Sequence, residues 1–202
     1  MNIEFLFFTF VEKFLQLLYA PLNHPEMFWI LLPLVITVIL MELYFGRYPR
    51  EDPGYHTALE NSVFLLFVAV DLVRFLISNE STVDAIKIYL VGVIIAYAIC
   101  LSLLDFFHKL PRNLAFKTSS KFLISYTAYI GIVLVYSDIL SDLSHLSIIA
   151  LVFSIIILFF MFKFIIGFIK AMEPQAHDDV EEFLEKVEKE IEEAAKVSTK
   201  ED

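Results

Sequence analysis

The chain has a single cysteine, Cys100, which excludes an internal disulfide and any CxxC metal or redox centre. In an apolar helical segment such a lone thiol is expected to act as a small buried residue. No HExxH, GxSxG, GxGxxG or P-loop pattern occurs, so zinc-hydrolase, serine-hydrolase, dinucleotide and nucleoside-triphosphate chemistry have no foothold. A TVGYG-like filter is absent, as are paired Gly- or Pro-broken spans in matching halves, the usual mark of an inverted-repeat transporter. With no nucleophile–base pair to be read, neither an enzyme nor a cofactor is expected. Basic residues are scarce, 15 against 25 acids, and the net charge of −10 argues against nucleic-acid partners. The first residues show no basic start or small-residue cleavage site, so a cleaved leader is not expected either.

What is abundant is apolar surface. The composition is 58% hydrophobic with 21 Phe, far from that of a soluble domain, and the chain divides into apolar stretches of membrane length. The acidity belongs to the end of the chain, because residues 173–202 hold most of the excess of acids over bases.

The stretch Thr57–Ser78 organises the rest. It is long enough to cross a bilayer, yet carries Asp71 and Arg74 inside it and Glu60 near its start. At ~100° per residue, Thr57, Glu60, Asn61, Asp71, Arg74 and Ser78 fall on one side of a helix. A charge in hydrocarbon costs several kcal/mol on most scales, so this stripe must face other helices or a wet cavity.

Taken in order, residues 1–20 place Asn2, Thr9, Glu12, Lys13 and Gln16 on one narrow face opposite Phe, Leu and Val, the pattern of an interfacial amphipathic helix. A sixth span is the alternative for the same segment. Pro21 and Pro25 break the chain before spans at about 27–45, 57–78, 83–107, 119–137 and 146–169. Thr57 and Glu60 have the spacing of a capping box for the second span. Lys and Arg gather in the loops after the first and third spans and are missing from those after the second and fourth. The positive-inside rule then puts the amino terminus outside and the carboxyl terminus inside. The fold class expected is all-α: a polytopic membrane protein of the cell membrane, with five transmembrane helices over residues 27–170. An acidic cytoplasmic helix or tail follows at 173–202. Val180, Leu184, Val187, Ile191 and Ala194 give that tail an apolar seam too short for a coiled coil, suited to docking on its own protein or on a cytoplasmic partner.

Three constellations could carry chemistry. The first is an intramembrane polar stripe of Glu60, Asn61, Asp71, Arg74, Tyr97, Tyr126 and Tyr129. Asp71 and Arg74 are close enough to pair on one helix face, and the phenols need inward partners in lipid. Ser125 and Tyr136 share the tyrosine face, and Tyr129 is expected near the depth of Asp71. The second is an inner cluster of Asp105, His108 and Lys121 beside Glu60, in which Asp105 and His108 are spaced for an imidazolium–carboxylate pair. The third is a candidate metal site at Asp138, Asp142 and His145, whose spacing could offer two carboxylates and an imidazole to a divalent cation. The stripe suggests a proton or small-cation conduit, or a subunit of one, in a homo- or hetero-oligomer. The alternative is a non-catalytic scaffold or assembly factor whose ion pair locks the bundle and whose tail recruits a partner.

Overall fold

The computed structural model describes residues 3–48, 54–79, 84–142, 144–172 and 187–188. Apart from 187–188, the expected tail helix lies outside the described residues. Those residues form helices α1 (Ile3–Asn23), α2 (Phe28–Arg47), α3 (Tyr55–Ser78), α4 (Ala85–Phe106), α5 (Arg112–Thr118), α6 (Lys121–Tyr136) and α7 (His145–Met172), and among them there is no strand. Short 3-10 turns at Pro25–Met27 and Ile139–Ser141 lead into α2 and follow α6. Six helical segments are long and apolar enough to cross a membrane, counting α5 and α6 together as one, Asn113–Tyr136.

α6 is the hub. Residues 131–137 are buried without interruption, because α3 and α4 pack on one side of it and α2 and α7 on another. Gly131 permits the close approach: a Cβ there would meet Ile94 Cδ1 on α4 at 2.7 Å and Leu72 Cδ1 on α3 at 3.7 Å. α3 and α4 make the most extensive helix pair, and α1 lies along α7. Leu65, Leu72, Ile124, Ile132 and Leu158 are fully buried at these junctions. Outward faces stay apolar, as on α7 with Val152, Phe153, Phe160 and Phe164, a surface that only lipid or another protein would cover.

Several expectations need correction. The first segment is a helix over Ile3–Asn23, long and apolar enough to be the sixth span that is the alternative for it, and its polar side is divided between the bundle and the outside, with Glu12 exposed. Thr9 and Lys13 are buried, and Lys13 Nζ donates to the Ile139 carbonyl at 3.1 Å. The capping box at Thr57 does not form, because α3 begins two residues earlier with Gly54 at the N-cap and Thr57 already bonded to the Gly54 carbonyl. Cys100 is exposed on the outer face of α4 rather than buried. The fourth expected span, 119–137, is α6, which starts at Lys121 behind a Ser120 cap, but the connection before it holds a short helix that was not expected, α5, ending at Thr118.

Two breaks in helical bonding are mended by side chains from elsewhere, as a dry interior requires. Pro21 has no N–H, so the Leu17 carbonyl loses its usual donor in α1. The Tyr129 hydroxyl donates to that oxygen at 3.0 Å. Between α5 and α6 the Ser119 carbonyl is freed, and Asn61 Nδ2 donates to it at 2.9 Å.

Candidate functional site

Polar side chains gather at opposite ends of the bundle. One end carries Asn79, Asp84 and the acidic residues Asp138 and Asp142, and the other the basic segment 106–121.

At the acidic end, Asp71 sits on the inward side of α3. One carboxylate oxygen accepts from Arg74 Nη2 one turn later, and the other accepts from the Tyr136 hydroxyl of α6 at 2.7 Å. The Tyr136 ring stacks on Phe75, with centroids 3.8 Å apart. The spacing of Asp71 and Arg74 therefore does form a pair, and its third member is Tyr136 rather than Tyr129. Asp71 is half-buried and Arg74 exposed. Both line a cleft of about 720 Å³ with Glu26, Trp29, Ser78 and Tyr136. In the same region Lys87, 6% exposed, lies 3.9 Å from the exposed Asp138.

The remaining members of the expected stripe do not join this triad. Tyr126 donates to the Ile155 carbonyl of α7 and Tyr129 to Leu17 of α1, so both point toward the opposite side of α6 from Asp71. They border an apolar cavity of about 220 Å³ that also touches Ser125, between α2, α6 and α7. Tyr97 is half-buried on α4, and Glu60 is exposed. Asn61 serves the α5–α6 break, as described above.

The expected metal triad is not assembled. Among the described residues no group of three or more His, Cys, Asp or Glu is gathered to hold a metal ion. Asp142 is instead committed to the start of α7, accepting from the Ser147 hydroxyl in its first turn and from the Ser144 amide just before it. The Ser147 hydroxyl foremost, then the Ser144 amide, holds its carboxyl below the usual carboxylate range. Asp138 and His145 are exposed. Nearby, a polar cavity of about 530 Å³ separates Thr9, Glu12, Lys13 and Gln16 of α1 from Asp142, Ser144 and Ser147.

At the basic end, Asp105 is 1% exposed in the last turn of α4. Its Oδ2 accepts from Ser62 of α3 at 2.8 Å and from Ser119 of the α5–α6 break at 2.6 Å. His108 does not pair with it. The helix stops at Phe106, and His108 adopts the left-handed conformation (φ 50°) of a C-terminal cap. Its amide bonds to the Asp105 carbonyl and that of Lys109 to Leu104, the bonding of a Schellman motif. The exposed imidazole is thus carried off the helix face and meets the edge of Tyr55, with centroids 4.2 Å apart. Lys121 sits over the Phe64 ring at 4.5 Å. The inner cluster thus divides into separate sites.

Sequence reasoning missed Ser62 and Ser119. Ser62 had a readable signal, since it adjoins Asn61 and faces inward in α3, whereas the position of Ser119 depends on a helix break that only tertiary contacts reveal. Between the two polar ends lie Leu65, Val68 and Ala69 of α3, Ala98 of α4, and Ala128 and Ile132 of α6, all buried.

The class these features define is an all-helical protein with the segments of a multi-pass membrane protein. No protein family, curated protein or solved structure matches the chain.

Proposed function

We propose that the protein is a non-catalytic membrane scaffold or assembly factor of the cell membrane. Six spans cross the bilayer, with both termini cytoplasmic. Adding α1 to the five expected spans leaves the basic loops inside, as the positive-inside rule asks, and moves only the amino terminus. The apolar outer faces suit lipid and a homo- or hetero-oligomeric contact, and residues 173–202 would recruit a cytoplasmic protein.

The observation that carries this reading is that both oxygens of Asp71 are used within its own bundle, by Arg74 and Tyr136. A carboxylate so occupied fixes the packing of α3 against α6. Polar interactions of this kind in membrane proteins average ~0.6 kcal/mol, with a maximum near 1.7. Asp71→Asn should therefore lower the thermal stability of the purified protein in detergent by roughly that amount, and a simultaneous Arg74→Gln should recover part of the loss. Additive losses would show that the two residues are not coupled. Deleting 173–202 should remove a co-purifying cytoplasmic protein while the membrane domain elutes unchanged; an identical set of co-purifying proteins would sink the recruitment role.

A second reading, the proton or small-cation conduit, draws on the cleft of about 720 Å³ that reaches Asp71 and Arg74. It requires flux through reconstituted vesicles that Asp71→Asn abolishes without changing expression. The buried apolar residues between the polar ends weigh against a path within one chain.

A further inference from the structure

Asp105 is the most deeply buried acid among the described residues, and its surroundings are unusual in what they withhold. No ion pair reaches it among those residues, and the only donors to its carboxylate are two neutral hydroxyls that share one oxygen, Oδ2. The other oxygen, Oδ1, is buried without a hydrogen-bond partner. A desolvated carboxylate in that position lacks both a counter-charge and half of its bonds, each a severe cost in a low-dielectric interior.

The hydroxyl oxygens beside it are of the kind that ligate a hard cation. Ser62 Oγ and Ser119 Oγ lie 3.2 Å apart and 2.8 and 2.6 Å from Oδ2, so hydroxyls from two other segments border the carboxylate. Ser62 has another acceptor for its proton, the Ala58 carbonyl at 3.0 Å, so it can give up its bond to Oδ2 and turn a lone pair toward a cation. Ser119 can keep its donation to Oδ2 and still present a lone pair. The backbone is suited as well. Asp105 belongs to the last turn of α4, whose carbonyl end is negative, and Ser119 lies in an unwound step between two helical pieces. Helix ends and unwound backbone of this sort are where membrane proteins coordinate small cations.

We propose that Asp105, with Ser62 and Ser119 beside it, forms a binding site for one monovalent cation, sodium, held by the carboxylate whose Oδ1 has no other partner. Hard oxygen ligands select an alkali or alkaline-earth ion over a soft metal, and a single carboxylate neutralises one positive charge rather than two. The site stands independently of the scaffold reading. Its distance from the Asp71 triad makes it separate from the conduit path suggested there.

The test uses the full-length protein, purified in detergent and equilibrated in choline chloride. Sodium chloride added at constant ionic strength should raise the melting temperature saturably, while choline leaves it unchanged, because a ligand that binds only the folded state stabilises it by mass action. Radioactive sodium should bind with a stoichiometry near one per chain. Asp105→Asn should abolish both responses. If that variant does not fold, Ser62→Ala and Ser119→Ala report the same site, each weakening the apparent sodium affinity about tenfold. Equal melting temperatures in sodium and choline would overturn the proposal, as would a sodium response that survives in all three variants. So would an infrared carboxylic-acid C=O band, assigned to Asp105 by its loss in Asp105→Asn, that persists in saturating sodium, because a proton would then hold the place of the cation. Binding without flux in vesicles would leave the site intact and remove the conduit.

Discussion

Tyr129 and Tyr136 lie on the same helix and spend the same hydroxyl on different problems. Tyr136 completes a charged triad, whereas Tyr129 supplies a donor that a proline has deleted. The sequence identified these phenols as needing inward partners but assigned the partner of Asp71 to the wrong one. Helical projection fixes the side of α6 on which a residue lies far better than which neighbouring helix that side meets. Asp71 with Arg74 was legible because both lie on one helix at a fixed spacing. Asp105 with Ser62 and Ser119 was not, since those residues come together only through packing. Asp142 shows the same limit: its spacing suggested a cation, and the start of α7 gives it hydroxyl and amide donors instead. This carboxyl has a lower pKa folded than unfolded, so its contribution to stability is full above the ordinary value of ~3.9 and is lost as pH falls through the folded value. Ser147→Ala should accordingly lower the melting temperature by a constant amount at neutral pH, with the difference shrinking below about pH 4. A difference independent of pH would disconnect Ser147 from the charge on Asp142.

At the scale of elements, α1 shows most clearly what an amphipathic pattern leaves open. Its two unlike faces are legible in the sequence and their direction is not, because such a pattern says that the faces differ without saying which one meets protein. The polar side meets the α6–α7 connection, where Lys13 caps the Ile139 carbonyl, and farther along the helix Tyr129 reaches Leu17. The Pro21–Leu17–Tyr129 arrangement makes a test of that docking. Tyr129→Phe leaves a buried carbonyl without a donor and should cost ~1–3 kcal/mol. Pro21→Ala restores an N–H four residues after Leu17, so the double variant should recover most of the loss in a thermal-unfolding cycle. Losses that simply add would mean that Leu17 was never short of a donor. The short helix α5, which precedes the step into α6, was hidden for a related reason. Ser119 and Ser120 are mild helix breakers, and it is Asn61 on another helix that makes the unwound step tolerable in a dry setting.

For the whole molecule, the all-helical class and the approximate limits of the helices at 28–47, 55–78, 85–106, 121–136 and 145–172 were legible from runs of apolar residues punctuated by Pro, Gly and charge. The number of crossings was not, since a helix of twenty residues with three or four polar side chains satisfies the description of an interfacial helix and of a span alike. The six-crossing proposal has a consequence that the five-crossing one lacks. Reporter proteins fused to the amino and carboxyl ends should lie in the same compartment, read by protease protection in sealed vesicles. Opposite sidedness would return α1 to the membrane surface.

The enclosure of α6 also bears on how such a chain is made. Of the six candidate spans, the segment leading into Tyr136 is the least apolar and the most enclosed. It is the piece worst suited to waiting alone in lipid, and its neighbours α3 and α4 precede it while α7 follows. Biosynthesis would then require the earlier hairpin to receive it on arrival, leaving one flank open until the last helix emerges from the ribosome.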